Sequence, residues 1–346
     1  MPGEIKPLRI DPVVSASGAA PPARPRTAAI ALDDSMTEAA RKVLWRNWKR
    51  AHAAEPGARR GTDSEDLHDL RVAVRRMRVA LRLFRGDLDR DAVRPIRKSL
   101  RRTARALGAV RDLDVFHDKV RHYLDALPGD RRTELDPLLA LWRAEHAGAR
   151  ARLVKWLDSR AFAHFKAELG EYLRRHDAKP DRRGESRRGG DRVRDAVPVV
   201  LLRGWTSVRG YDESVNTPGA PPDELHQLRI ACKRLRYTLE FFVRLLGTPA
   251  ERLIAQLTNV QDHLGNLQDA VVACGILRNV LASGDWTGGD GGAGRCAPAA
   301  VVPGIAAYLD ARQREIQTLV LTFPAVWGPV RSTKFKQQLL ALTADW

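Results

Sequence analysis

The stretch EDLHDLRVAVRRMRVALRLFRG, residues 65–86, decides the fold. It contains six arginines and has no acidic residue after Asp69. On a helix of about 100° per residue, its apolar side chains share one face, and Arg71, Arg75, Arg78 and Arg82 share the neighbouring face beside His68. The stretch therefore predicts an amphipathic helix with one face for a core and one basic face for a partner.

A second copy of this pattern, DELHQLRIACKRLRYTLEFF, occupies residues 223–242. His68 aligns with His226 at an offset of 158 residues. A further pair, LGAVRDLDV (107–115) and LGNLQDAVV (264–272), aligns at an offset of 157 and matches Asp112 with Asp269. Two matched pairs at nearly one offset indicate a duplicated domain rather than an array of short repeats.

Helical periodicity dominates the chain, and no segment alternates convincingly as a strand. Ala, Leu, Arg and Glu, which favour helices, are abundant. The fold class is therefore predicted to be all-α. Besides the helix in the opening stretch, helices are expected at about 34–55, 90–107, 108–127, 133–157, 159–176, 193–212, 223–246, 249–263, 265–283, 302–321 and 329–343.

The composition of the connecting segments predicts the domain organisation. A Pro-, Ala- and Ser-containing N-terminal arm (1–33) precedes the first repeat (34–176), and a Gly- and charge-rich flexible linker (177–192) leads to the second repeat (193–346). Three cysteines are too few for a disulfide framework, and no apolar run reaches the ~18 residues of a membrane span. We expect a cytoplasmic protein without a membrane partner.

The charge balance points to a polyanionic partner. The chain has 59 Lys and Arg against 42 Asp and Glu, a net charge of +17. Like charges one turn apart destabilise a helix by about 0.2–0.5 kcal/mol per pair, and a bound polyanion reverses that effect. Arginine suits phosphate because its planar group donates two parallel hydrogen bonds. Arg101 and Arg105 extend the charge onto the next helix of the first copy only.

The histidines and aspartates give no catalytic pattern. His68 and His226 either orient a phosphate or fix the start of a helix, and the neighbouring arginines disfavour a metal ion. Asp112 and Asp269 either act near a helix N-terminus or hold an arginine. Because no nucleophile with a base, Gly-rich phosphate loop or zinc spacing is found, we expect no catalytic residue, metal or cofactor, and no enzyme activity.

These two pairs of segments resemble the motifs of the CHAD family, the conserved-histidine α-helical domains. The resemblance covers residues 34–343. It implies two four-helix-bundle-like repeats related by pseudo-two-fold symmetry around a basic central cavity, the binding of inorganic polyphosphate, and association with polyphosphate granules. Many relatives also carry a CYTH triphosphatase-type domain. This chain lacks the acidic-and-basic strand repeat of such a domain and is expected to be a stand-alone CHAD protein.

The resemblance and the basic faces together give the predicted polyphosphate-binding residues. Arg111 matches the arginine of the family's second motif, whereas Gln268 departs from it. The full predicted set is His68, Arg71, Arg75, Arg78, Arg82, Arg101, Arg105, Arg111, His226, Arg229, Lys233 and Arg236. Two alternatives stay open: a nucleic-acid-binding helical protein, and a metal-dependent phosphatase or phosphoacceptor that uses the motif histidines.

Overall fold

All regular secondary structure in the described part of the chain is helical, as the periodicity predicts. The computed structural model describes residues 29–61, 63–174, 191–216, 220–284 and 302–346. No helix within these ranges has the length and apolar content of a membrane span. In chain order the elements are α1 (Met36–Arg60), α2 (Ser64–Leu83), α3 (Arg90–Asp125), a 3₁₀ helix (Gly129–Leu135), α4 (Asp136–Leu157), α5 (Arg160–Arg174), α6 (Val193–Arg209), α7 (Asp212–Val215), α8 (Pro222–Leu246), α9 (Thr248–Ser283), α10 (Val302–Arg331) and α11 (Thr333–Ala341).

We call α2 and α8, which carry the two matched histidine-containing segments, the motif helices. The helix that follows each of them is longer than predicted. The prediction of a break at Gly108 and at Gly265 is wrong, because α3 and α9 pass through these glycines as single helices of 36 residues each. A glycine inside a helix costs only about 1 kcal/mol relative to alanine, and buried neighbours such as Leu107 and Leu264 offset this cost. Asp112 and Asp269 therefore lie one turn beyond the glycines inside the helices, rather than near helix N-termini.

The other helix ends shift by a few residues. Ser35 caps α1 by accepting a hydrogen bond from the Glu38 amide at 3.2 Å. The helix then continues to Arg60 and ends at Gly61, whose φ of 75° favours glycine. Near the C-terminus, α10 runs to Arg331 rather than to residue 321.

The predicted apolar faces of the two motif helices are buried in one core. Phe84 at the end of α2 and Phe242 in α8 are fully buried and pack edge to face, with 6.2 Å between their ring centroids. Cys232 of α8 is also fully buried in this core, as a free thiol. Because both helices contribute to the same cluster, the two copies share this core rather than folding around separate ones.

A smaller second core joins the distal halves of α3 and α9. Phe116 and Val120 of α3 pack in one cluster with Leu277 of α9 and with residues of α4 and α10. The rings of Tyr123 and Tyr308 lie 4.7 Å apart at this position. The long helices therefore span both cores, and residues between the cores remain accessible. The pseudo-two-fold relation between the copies stays a prediction.

Most of the predicted arm (1–33) and of the predicted linker (177–192) lies outside the described residues, which begin at residue 29 and resume at residue 191. The residues that follow them pack together at the starts of α1 and α6. Ile30 is buried, and Arg192 donates a hydrogen bond to the Asp33 carboxylate at 2.7 Å. The Val193 amide donates to the Asp34 carbonyl oxygen at 2.9 Å.

Truncating Phe84 tests the shared core. We expect Phe84→Ala to lower the free energy of unfolding by about 3–5 kcal/mol, because it removes a fully buried ring at the junction of α2 and α8. Urea unfolding followed by circular dichroism measures the change. The control is Leu321→Ala, whose side chain is 80% exposed and whose effect should stay within about 0.5 kcal/mol. Equal effects of the two variants would contradict a shared core.

Candidate anion-binding site

A cleft of about 900 Å³ opens between the two copies. Both motif helices contribute to its wall at matched positions, Arg71 with Arg229 and Arg75 with Lys233. The cationic and histidine side chains that line it are His68, Arg71, Arg75, Arg111, Lys119, Arg152, Arg229, Lys233 and Arg312. The acidic ones are Asp112, Glu145, Asp262 and Asp269. The cleft therefore concentrates positive charge from α2, α3, α4, α8 and α10, whereas α9 contributes Asp262 and Asp269.

A buried aromatic ring supports the arginines beside the cleft. Tyr237 is 1% exposed, and the guanidinium groups of Arg75 and Arg236 lie 5.7 and 4.8 Å from its ring centroid. Such cation–π contacts stabilise a positive charge near a desolvated ring. Arg236 also donates to Glu240 at 2.7 Å and to Gln261 at 3.1 Å. The arginines therefore have fixed positions before any ligand binds.

The mutual repulsion of the cations is visible in their pKa values. Burial lowers the pKa of Arg75, and the neighbouring Arg71, Arg236 and Arg76 lower it further, while Tyr237 opposes the shift. Burial together with Arg75, Arg229, Arg71 and Arg236 lowers the pKa of Lys233 to about 7. The guanidinium groups stay charged, whereas the Lys233 ammonium is only partly protonated near neutral pH. A bound anion would relieve this repulsion.

Two carboxylates at matched positions lie within the cleft. Asp112 Oδ1 is 4.0 Å from Arg71 Nη2, which favours the arginine-holding role over a role at a helix N-terminus. The Asp112 side chain is 76% exposed towards the cleft, but the surrounding walls limit its hydration and raise its pKa, and Asp269 raises it further. Burial also raises the pKa of Asp269, against the opposing effect of Arg229, Lys119 and Arg312.

Two further depressions continue the basic surface along the first copy. A groove of about 310 Å³ is lined by Arg75, Arg78, Arg82, Arg97, Arg101, Lys233 and Arg234 together with Val79, Leu81 and Ile230. An outer depression of about 540 Å³ is lined by Arg94, Pro95, Arg97, Lys98 and Arg101. Neither lining includes an acidic residue among those described. We call the cleft, groove and outer depression together the basic path.

Shared residues connect the three parts of the basic path. Arg75 and Lys233 line both the cleft and the groove, and Arg97 and Arg101 line both the groove and the outer depression. Burial lowers the pKa of Arg78, and Arg101, Arg82 and Arg105 lower it further. The basic path therefore extends along α2 and α3 beyond the cleft.

The structure brings most of the predicted residues into the basic path. His68, Arg71, Arg75, Arg111, Arg229 and Lys233 line the cleft, and Arg78, Arg82 and Arg101 line the groove. Arg105 lines neither but contributes positive charge near Arg78. His226 and Arg236 line neither the cleft nor the groove. Their predicted binding role, like that of the whole set, stays a prediction.

Other cations of the basic path were missed from the sequence. Lys119 lies two turns after Asp112 on the same face of α3, so the helical period could have placed it beside Asp112. Its ammonium donates to Asn266 Oδ1 at 3.2 Å and lies 3.8 Å from Glu315. Arg152 and Arg312 come from α4 and α10, which carry no repeat motif, so only the tertiary structure places them in the cleft.

Comparison with known proteins places the chain in a family. The CHAD domain family model matches residues 22–278, and the chain therefore belongs to the CHAD domain family. The crystal structure of the CHAD domain from the plant Ricinus communis is similar with a TM-score of 0.65 and 23% identity, covering 89% of this chain and 96% of that chain. PptA from Streptomyces chartreusis is similar with a TM-score of 0.63 and 12% identity, covering 85% and 100%. These two likenesses show the fold.

The curated relatives are longer proteins. The uncharacterized proteins MT2285 and Rv2226, from two strains of Mycobacterium tuberculosis, are each 26% identical to the chain over 266 residues. The match covers 74% of this chain and 45% of either relative. The chain thus spans about half the length of the curated relatives that it matches.

Neutralising the two aspartates tests the electrostatics of the cleft. We expect the double variant Asp112→Asn/Asp269→Asn to bind sulfate roughly threefold to tenfold more tightly at pH 7, because two negative charges are removed from the site. Calorimetry measures the affinity, and sulfate serves as a probe that does not titrate near neutral pH. Asp310→Asn, an exposed carboxylate outside the cleft, is the control.

The same double variant tests the raised pKa values. Protonation of Lys233, whose pKa is about 7, strengthens sulfate binding in both proteins as the pH falls through neutrality. In the wild type, acidification also protonates Asp112 and Asp269 at a higher pH than usual, so binding should strengthen further as the pH falls towards their raised pKa values. The variant lacks this part of the pH dependence. Identical affinity and pH dependence in both proteins would contradict a cleft in which these carboxylates face the anion.

Proposed function

We propose that this protein binds inorganic polyphosphate along the basic path, without catalysing its turnover. The observation that carries the proposal is the continuity of the path through the shared residues Arg75 and Lys233, then Arg97 and Arg101. A linear polyanion presents a charge at every unit, so it suits a series of connected cationic sites better than a small anion does. Association with polyphosphate granules follows from the same binding.

The make-up of the path favours an inorganic polyanion over a nucleic acid. Single-stranded nucleic acids gain about 1–3 kcal/mol per base by stacking on aromatic side chains. Among the described residues that line the path, Phe116 is the one Phe, Tyr or Trp, and it is 6% exposed in the second core. Tyr237 lies beneath the arginines and is equally inaccessible to a base. The path therefore offers contacts to phosphate and no platform for a base.

The chemistry of the cleft supports binding rather than turnover. Its described lining includes no serine, threonine or cysteine to act as a nucleophile. Across the described residues, no group of three or more His, Cys, Asp or Glu side chains has the arrangement of a metal site. The cleft carboxylates have raised pKa values among arginines, and their proposed role is to balance charge. We therefore propose a binding module rather than an enzyme.

Reversing two charges in the path tests where polyphosphate binds. We expect Arg75→Glu/Arg78→Glu to weaken the binding of long-chain polyphosphate by at least about tenfold, because each reversal replaces an attraction by a repulsion. Calorimetry measures the affinity, and circular dichroism checks that the helical content is kept. The matched control, Arg160→Glu/Arg252→Glu, makes the same change of net charge at exposed positions outside the path. Equal losses in both variants would show that net charge rather than the path determines binding.

Competition between polyanions tests the ligand class. At equal phosphate concentration, we expect single-stranded RNA and DNA to leave labelled polyphosphate bound, because the path lacks stacking residues. Fluorescence anisotropy of the labelled chain reports displacement, and unlabelled polyphosphate is the positive control. Displacement by RNA at the same concentration as by unlabelled polyphosphate would contradict the proposed ligand.

A further inference from the structure

Lys233 has an unusual environment for a lysine. It occupies the position that Arg75 holds in the first copy, and it lines both the cleft and the groove. Within the described structure its ammonium makes no ion pair with a carboxylate. By contrast Lys119, the other lysine of the cleft, contacts Asn266 and Glu315. Lys233 is therefore accessible from the path and lacks the partner that would keep it protonated.

The groups around Lys233 favour its neutral form. Arg71 and Arg75 act on it from α2, and Arg229 and Arg236 act from its own helix. The acids that line the same cleft do not offset this field; they are Asp112 of α3, Glu145 of α4, and Asp262 and Asp269 of α9. Glu240 is occupied by Arg76 and Arg236 at 2.8 and 2.7 Å. Arg97 and Arg101 of α3 add positive charge in the groove. Burial in this surrounding lowers the pKa of Lys233 to about 7.

We propose that Lys233 is a modification site at which a small acyl phosphate transfers its acyl group to Nζ. The surrounding guanidinium groups hold the phosphate moiety, which brings the carbonyl carbon close to the amine. The neutral amine attacks this carbon and forms the C–N bond, and the bond from the carbonyl carbon to the phosphate oxygen breaks. Inorganic phosphate leaves with the electron pair, and the nitrogen loses a proton to water. The product is an uncharged amide.

The geometry separates Lys233 from the other candidates. Lys119 donates a hydrogen bond to Asn266 and lies 3.8 Å from Glu315, so its ammonium is engaged by other side chains. Lys155 and Lys334 are exposed and lie outside the basic path. The matched residue of the first copy, Arg75, is an arginine, whose guanidinium stays protonated and is not a nucleophile under these conditions. Lys233 therefore combines an anion-binding surrounding with a partly neutral amine.

The modification has a consequence that rests on the proposed function. Lys233 belongs to the wall shared by the cleft and the groove, so acylation removes a positive charge from the junction of the basic path. It also places an acyl group where a polyphosphate chain would pass. We therefore expect acylation to weaken polyphosphate binding and to link the occupancy of the path to the supply of acyl phosphates.

Site-resolved labelling with acetyl phosphate tests the modification itself. The purified protein is treated at pH 7, and mass spectrometry follows initial rates at Lys233, Lys155 and Lys334. We expect Lys233 to react roughly tenfold faster than the two exposed lysines, since its larger neutral fraction outweighs the lower nucleophilicity of a less basic amine. Its rate should level off above about pH 8, while the reference rates keep rising. Labelling of Lys233 no faster than the references would overturn the proposal.

A second measurement separates the modification from the binding function. We expect acetyl phosphate treatment to weaken polyphosphate binding by the wild type by at least about threefold. In K233R, the treated and untreated proteins should bind polyphosphate with the same affinity. Fast labelling of Lys233 with unchanged polyphosphate affinity would overturn the proposed effect of acylation on binding, and it would still support the modification itself. If untreated protein does not bind polyphosphate, the proposed function fails, and the labelling rates still decide the modification.

Discussion

The packing of α2 against α8 brings like charges together, and the rest of the site depends on it. Each of these helices has an apolar face beside a basic face, so burying Phe84 against Phe242 also determines where the arginines lie. The protein stabilises this unfavourable arrangement with the Tyr237 ring and with Glu240, which binds both Arg76 and Arg236. Hydrophobic burial thus supplies the free energy that preorganises a cationic cleft.

The two matched segments differ in the charge that they bring to this junction. The first copy carries the basic path along α2 and α3 through residues such as Arg82 and Arg101. The second copy has Glu240 at the position of Arg82, and this acid holds the arginines beside the cleft. At this matched position, Arg82 of α2 extends the basic path, whereas Glu240 of α8 holds the arginines beside the cleft.

The sequence was sufficient for the features that follow from helical periodicity. The buried and basic faces of α2 and α8, the duplication and the all-α class are all visible in residue spacing. The break predicted at Gly108 and Gly265 was wrong because a local cost of about 1 kcal/mol was offset by packing on both sides. Arg152 and Arg312 were missed, and so was the low pKa of Lys233, because all three depend on which helices meet in space.

The dependence of polyphosphate affinity on salt concentration tests the central claim most directly. If polyphosphate runs along the basic path and neutralises its cations, binding releases the counterions condensed on the polyphosphate. The logarithm of the association constant should then fall linearly and steeply with the logarithm of the salt concentration. Titrations of long-chain polyphosphate by calorimetry between low and physiological salt give this slope. A steep slope in the wild type that becomes shallower in Arg75→Glu/Arg78→Glu is predicted. A slope near zero, or the same slope in both proteins, would contradict binding along the path.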